Sequence, residues 1–255
     1  MAEPKWSAGM FVWRELMTDD VEGARRFYGE LFAWSWKGED MGPAGKYWLA
    51  SRDGKQVGGA MQKPAGVAMP SAWSSYVLVD DVDAAADRCK AAGGRVLRAP
   101  DDIPNVGRFA VLADPSGAVF QPFRASGHES EPPPQRPSAG TFCWETLVTP
   151  DLAGAIAFYR KVIGFGTGPT PNGEGTVFTA GQVAVADLQL AKPGGPAYWA
   201  TYVAVENAEA SRDRAARLGG KVIVPRIDVP KVGIVAIVAD PSGAALGLFQ
   251  PGEDV

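Results

Sequence analysis

The stretch VGRFAVLADPSGAVFQPF at residues 106 to 123 returns as VGIVAIVADPSGAALGLF at residues 232 to 249. A second phrase is also doubled: FVWRELMTDDVEGARRFYGELFAWSW at 11 to 36 lies over FCWETLVTPDLAGAIAFYRKVIGFGT at 142 to 167. Self-similarity over such lengths means that one supersecondary plan is built twice, so the fold must contain two equivalent halves. Between them runs ASGHESEPPPQRPSAG, whose three consecutive prolines mark residues 126 to 140 as an exposed, semi-rigid linker. The expected domains are therefore residues 8–125 and 141–252.

Each half divides again. Residues 10 to 17 alternate as a strand, with Phe11, Trp13 and Glu15 on one face and Val12 and Leu16 on the other. A helix follows, with Thr18 and Asp19 as candidate caps and Val21, Ala24, Phe27, Tyr28 and Leu31 at helical spacing. In the second copy, Thr149-Pro150-Asp151 places proline at the expected first helical position. Short strands are expected around 46 to 51 and 56 to 62. The pattern then restarts with the strand at 73 to 79 and a helix capped by Asp81 and stopped by Gly93-Gly94, matched later by Asn207 and Gly219-Gly220. Three more strand segments complete the unit, the last two joined by the Asp114-Pro115-Ser116-Gly117 turn. The unit is strand, helix, then two or three strands, four times over.

Composition narrows the function. A net charge of −4 with no basic cluster gives no footprint for nucleic acid, and no long apolar run suggests a membrane span or a leader. The expected location is the cytoplasm, and the expected partner is a small molecule. Two cysteines, Cys89 in a predicted helix and Cys143 in a predicted strand, make no disulfide framework and read as core residues. The one histidine, His128, falls in the Pro-rich linker, away from any preorganised site.

Strand, Asp-capped helix with Phe-Tyr, VDDVDAA…AAGG and DPSGAVFQ, in that order and twice over, resemble the vicinal oxygen chelate superfamily of glyoxalase I, bleomycin-resistance proteins and extradiol dioxygenases. The resemblance is nearest to tandem two-domain bacterial glyoxalase-like proteins. It implies an α+β fold of two glyoxalase-like domains, each of two βαβββ modules forming an open, cup-shaped barrel with helices outside. It also implies a divalent metal held by His and Glu from several strands. Carried over residue by residue, the ligand positions fall at Trp13 and Trp144, at Ser74 and Ala200, and at Gln121 and Gly247. None keeps its ligand, and Asp187, near the fourth position, lacks a partner carboxylate or histidine. The expectation is a protein without a metal or other cofactor.

Alternation puts Phe11, Trp13, Glu15, Ser74, Tyr76, Gln121 and Phe123 inside the first cup, and Trp144, Thr146, Tyr202 and Gly247 inside the more apolar second. Arg108, replaced by Ile234 in the second half, is a candidate for the first cup's rim. Two functions remain open. One is a binding protein of the bleomycin-resistance type that holds a small, partly apolar molecule. The other is a lactoylglutathione-lyase-like lyase or isomerase acting on a small carbonyl compound, with Glu15 as general base and Tyr76 and Gln121 stabilising the developing oxyanion. A monomer or a homodimer fits either reading.

Overall fold

The computed structural model describes residues 6–42, 45–66, 68–127 and 137–252. His128 and the triple proline lie outside the described residues. The first half runs β1 (Phe11–Thr18), α1 (Val21–Phe32), β2 (Ser35–Asp40), β3 (Lys46–Arg52), β4 (Lys55–Gln62), β5 (Ala72–Leu78), α2 (Val82–Ala91), β6 (Arg95–Ile103), β7 (Gly107–Ala113) and β8 (Val119–Ala125). The second runs β9 (Phe142–Thr149), α3 (Leu152–Val162), β10 (Gly166–Pro169), β11 (Thr176–Ala180), β12 (Val183–Leu190), β13 (Tyr198–Ala204), α4 (Ala208–Arg217), β14 (Lys221–Val229), β15 (Gly233–Ala239) and β16 (Ala245–Pro251). Each half therefore holds two βαβββ modules. Each makes one open eight-stranded sheet, ordered β2-β3-β4-β1-β5-β8-β7-β6 and β10-β11-β12-β9-β13-β16-β15-β14. This is the α+β arrangement expected. The strands at 35–40 and 166–169 carry no clean alternation and escape a sequence reading.

Helix starts follow side-chain chemistry, with two corrections. Asp81 and Asn207 cap α2 and α4 as expected, accepting from the N–H of Ala84 and Ala210. The cap of α1 is Asp20, not Thr18 or Asp19: its carboxylate takes the Gly23 N–H at 2.8 Å, while Asp19 turns to the Lys63 ammonium. In α3, Asp151 is the cap and Pro150 precedes it, because a carboxylate that accepts the Gly154 N–H outranks a proline that accepts nothing.

Hydrogen bonding follows the sequence halves, whereas side-chain packing groups the chain differently. One compact unit takes the described residues among Met1–Val12, Ser75–Arg136 and Glu145–Trp199; the other takes those among Trp13–Ser74, Pro137–Trp144 and Ala200–Val255. In the first unit α2 and α3 share one core, with Val82, Ala85 and Cys89 in the same cluster as Phe158, Tyr159 and Val162. In the second unit α1 and α4 share another, where Ala24, Phe27 and Tyr28 join Ala208 and Ala215. Each core therefore combines a helix from one half with a helix from the other.

The repeated DPSG and Phe-Tyr phrases meet in these cores. In the first unit Tyr159, fully buried on α3, donates its hydroxyl to Asp114 of the DPSG turn at 3.2 Å and accepts the Trp199 indole N–H at 2.8 Å. In the second unit Tyr28 on α1 does the same with Asp240 and Trp73 at the same two distances. The aspartates also fasten their own turns, accepting the N–H of Ala118 and Ala244. Burial holds both carboxyls above the ordinary aspartate range in spite of these donors, and pushes both tyrosines well above theirs. Burial also raises the Cys89 thiol to about 11, in keeping with an inert core cysteine.

Candidate functional site

Within the second unit, α1 covers one face of β1, β3 and β4 through Leu16, Ala50 and Ala60. Strand alternation and register then fix the opposite face. Parallel pairing sets Glu15 beside Gly59 and Met17 beside Met61, and antiparallel pairing sets Leu49 beside Gly59 and Tyr47 beside Met61. Trp13, Glu15, Met17, Tyr47, Leu49, Gly59 and Met61 thus share the face turned away from α1. Glu15 is 8% exposed, while Trp13, Met17, Tyr47 and Leu49 are half-buried. Trp13 donates its indole N–H to the Tyr47 hydroxyl at 2.8 Å. That hydroxyl lies where a side chain at position 59 would begin, 2.2 Å from a hypothetical Cβ, so glycine at 59 is what lets Tyr47 lie beside Glu15's strand. Ser74 anchors the edge of the face, its hydroxyl donating to the Glu15 carbonyl at 3.4 Å.

Within the first unit, α2 covers the face of β5, β7 and β8 carrying Val77, Ala110, Leu112 and Phe120. Tyr76 pairs with Gln121, and Phe109 with Phe123, on the opposite face. The Tyr76 ring lies 6.0 Å from both Phe109 and Phe123. Tyr76 and Gln121 are buried and Phe123 is half-buried. The expected set is corrected at two places here. Arg108 stands on the helix-covered side, where its guanidinium binds Asp83 of α2 at 2.6 Å and Asp102 of β6 at 3.0 Å. The cation on the Tyr76 face is Arg98, stacked 4.7 Å from the centre of the Phe109 ring. Irregular register in β6, on both sides of Arg98, hides this orientation from simple alternation. Phe11 belongs to the core, packed on Trp199 at 5.4 Å and Phe165 at 6.3 Å.

The second half differs chemically at equivalent positions. Where the first sheet opposes Glu15 to Gly59, the second opposes Thr146 to Asp187. The carboxylate has moved from the first strand of the module to the last. Thr146, nearly fully buried, donates its hydroxyl to one oxygen of Asp187, and Gln189 donates its amide to the other at 3.1 Å. Asp187 is thus held by partners that lie far away or two residues along in sequence. Tyr202 lies over Gly247, leaving no room there for a side chain: a Cβ would meet its ring at 2.0 Å. Trp144 is half-buried on β9. Sequence reasoning missed Tyr47, Arg98 and the fully buried Glu145, the neighbour of Thr146.

The donor set at the positions that the resemblance assigns to a metal is indole, hydroxyl and amide in the first half, and indole, methyl and hydrogen in the second. A catalytic zinc or iron centre uses imidazole, carboxylate or thiolate ligands, usually three. The residues present do not fit such an ion. Among the described residues no three His, Cys, Asp or Glu side chains come together in a group that could hold one. Nor is any described helix long and apolar enough to cross a membrane.

Comparison with known proteins agrees with this architecture. The sequence model of the Glyoxalase/Bleomycin resistance protein/Dioxygenase superfamily matches residues 10–121 and 142–248. The chain is similar to "Putative glyoxylase CFP32" of Mycobacterium tuberculosis, 35% identical over 94% of each chain. It is also similar to the anthracycline biosynthesis protein DauV of a Streptomyces species, 32% identical over 96% of this chain and 94% of that one. Among solved structures, the 2,3-dioxygenase LapB of Pseudomonas sp. KL28 superposes with TM-score 0.63 at 15% identity, covering 98% of this chain and 94% of that one. The Mn(II)-bound glyoxalase of Novosphingobium aromaticivorans gives the same TM-score and identity, covering 96% and 82%. At that identity the likeness concerns the fold. Two family matches spanning the two halves, on two sheets of βαβββ modules, show that the chain belongs to the Glyoxalase/Bleomycin resistance protein/Dioxygenase superfamily.

Proposed function

We propose that this protein binds a small, partly apolar molecule against the Trp13–Tyr47–Glu15 face without a metal. The observation that carries this reading is that Trp13 and Ser74 stand at positions of metal donors on a face that stays largely apolar, half-buried and supplied with one buried carboxylate, Glu15. Apolar walls with few, well-placed polar groups are the ordinary make-up of a small-molecule site. The indole of Trp13, oriented by its bond to Tyr47, offers a flat surface for an aromatic or conjugated ligand. Similarity to a protein named for anthracycline biosynthesis supports such a ligand.

A second reading makes the protein a lyase or isomerase for a small carbonyl compound, and the burial of Glu15 favours it. Glu15, buried on the face that carries Trp13, is placed to take a proton from carbon beside a carbonyl. Tyr76 and Gln121, in register on a separate face within the first unit, offer hydrogen-bond groups there for polar ligand oxygens and are tested apart from Glu15. The names of the glyoxylase relatives support this reading.

Native mass spectrometry of untagged protein tests the first reading. A metal-free chain carrying an organic adduct supports it, and a stoichiometric metal overturns it. Glu15→Gln tests the second: turnover of a carbonyl substrate is lost while ligand affinity stays within about threefold, a difference of less than 1 kcal/mol. Unchanged turnover rejects Glu15 as the base. Gln121→Ala, measured alongside, reports separately on the Tyr76 face.

A further inference from the structure

The two helix pairs are built to one plan but end differently. In the first unit Arg88 of α2 reaches the end of α3, and its guanidinium donates twice to the Val162 carbonyl at 2.8 and 3.2 Å. Lys161 also reaches toward the Ala91 carbonyl at 3.5 Å. These contacts tie the end of α3 to α2. The residue equivalent to Arg88 in the second unit is Arg214 of α4, and the one equivalent to Lys161 is Glu30 of α1. Here, among the described residues, no such bond from α4 to a carbonyl of α1 is found. The Phe32 carbonyl at the end of α1 is taken at 2.8 Å by Arg52 from β3, and Arg214 stands 3.6 Å from Glu30.

The second unit has a cavity of about 440 Å³ between the end of α1 and one face of α4. That volume lies in the range of small-molecule sites. The α4 wall is low because Ala210 and Ser211 are small. Its floor is apolar, with Leu31, Phe32 and Val205 all buried. Three guanidinium groups line it, those of Arg52, Arg214 and Arg217, against the two carboxylates of Glu30 and Glu206. Glu206 lies before the N-terminus of α4 and the two arginines fall in its last turn, about 12 to 16 Å further along at 1.5 Å per residue. The arginine end of the groove is therefore separate from Glu206, and Glu30 is the carboxylate beside Arg214. Arg214 is paired with Glu30 rather than with a helix carbonyl, and both Arg214 and Arg217 line the groove.

We propose that this groove is a second ligand site, specific for a small molecule that carries an oxyanion, carboxylate or phosphate, on a compact apolar body. Arg214 and Arg217 bind the oxyanion through paired N–H donors, the geometry in which guanidinium groups recognise such anions. The body rests on Leu31 and Val205, and the Ser211 hydroxyl supplies a further hydrogen bond. The site lies wholly within the second unit and does not depend on the Trp13 face.

The test uses the full chain, titrated with inorganic phosphate and separately with benzoate at constant ionic strength, and followed by amide shifts in two-dimensional NMR and by calorimetry. The expected result is saturable one-site binding of at least one probe, with shifts centred on α4 and the end of α1. Phosphate alone identifies a phosphate-bearing ligand, and benzoate alone an aromatic carboxylate. Arg214→Gln combined with Arg217→Gln weakens binding at least tenfold, and Ser211→Trp, which fills the groove, abolishes it. Failure of both probes to saturate by about 20 mM overturns the proposal. Binding that survives both variants overturns it equally. Both substitutions change side chains of α4 that line the groove, and circular dichroism confirms folding in each case.

Discussion

Replacing Tyr28 by Phe removes one oxygen atom from the core of the second unit and leaves the ring in place. The oxygen has two partners. Trp73, only 7% exposed, loses the acceptor of its indole N–H, and Asp240, 3% exposed, loses a donor to its carboxylate. An orphaned buried donor costs about 1 to 3 kcal/mol, and a lost hydrogen bond to a charged group about 1.5 to 3 kcal/mol. Asp240 keeps its backbone donors, among them the Ala244 N–H, so the lower half of the second range applies. The expected loss is about 3 kcal/mol, a large share of the roughly 5 to 15 kcal/mol that holds a domain folded. Tyr159→Phe should cost about 1 kcal/mol less, because Trp199 is half-buried and water can replace part of what its N–H loses. Urea denaturation at pH 7 gives both values, provided the slope of the transition is unchanged. The double-mutant cycle of Tyr28→Phe with Trp73→Phe should show coupling of at least about 1 kcal/mol, since removing both partners leaves no orphan. A Tyr28→Phe loss under about 0.5 kcal/mol, or an additive cycle, would refute the view that this hydroxyl joins the helix to the turn.

Other perturbations test separate features. Asp114 has its folded pKa raised above 3.8 by burial, so its ionisation costs more in the folded chain than in the unfolded one and its contribution to stability falls as pH rises from 3.8 through the folded value. Stability plotted against pH should accordingly decline less over that window in Asp114→Asn than in the parent, as read by urea midpoints across the acid range. Asp83 shifts the other way, because its bond to Arg108 holds its pKa below 3.8, so that pair helps only above the depressed value and is lost on further acidification. Arg108→Ala should leave ligand affinity unchanged by calorimetry, since its ion pairs lie on the helix-covered side of the sheet. Gly247→Ala should destabilise by about 1 to 3 kcal/mol, the ordinary cost of overpacking, because the new methyl meets the Tyr202 ring. Thermal melting checks it, and an unchanged midpoint would show that the ring turns aside freely.

How much of the site was legible depended on whether alternation held along the strand. Glu15 and Trp13 share a face because β1 is regular, and Tyr76 and Gln121 pair because β5 and β8 run parallel without a break. Alternation could not have found Arg98, because register shifts in β6 turn it toward Phe109, and the rim candidate Arg108 lies on the helix-covered side of β7. Tyr47 could not be singled out, because its place depends on the missing side chain of Gly59 in a neighbouring strand. The hydroxyl that Asp187 accepts from was not legible for a similar reason: its buried donor, Thr146, is 41 residues away.

The sequence alone determined the number of modules, their order and the chemical contrast between the halves, because repeats, caps and turns are local or self-similar signals. A stripe such as Ala24, Phe27, Tyr28 and Leu31 states that a helix has a buried face. It does not state which surface covers that face, since burial favours any apolar partner about equally. Only the tertiary structure decided that Tyr28 answers to Asp240 and Tyr159 to Asp114, each core taking one helix from each half. Only the packed helices likewise showed that Arg88 binds the Val162 carbonyl while its repeat counterpart Arg214 stands beside Glu30 at a groove.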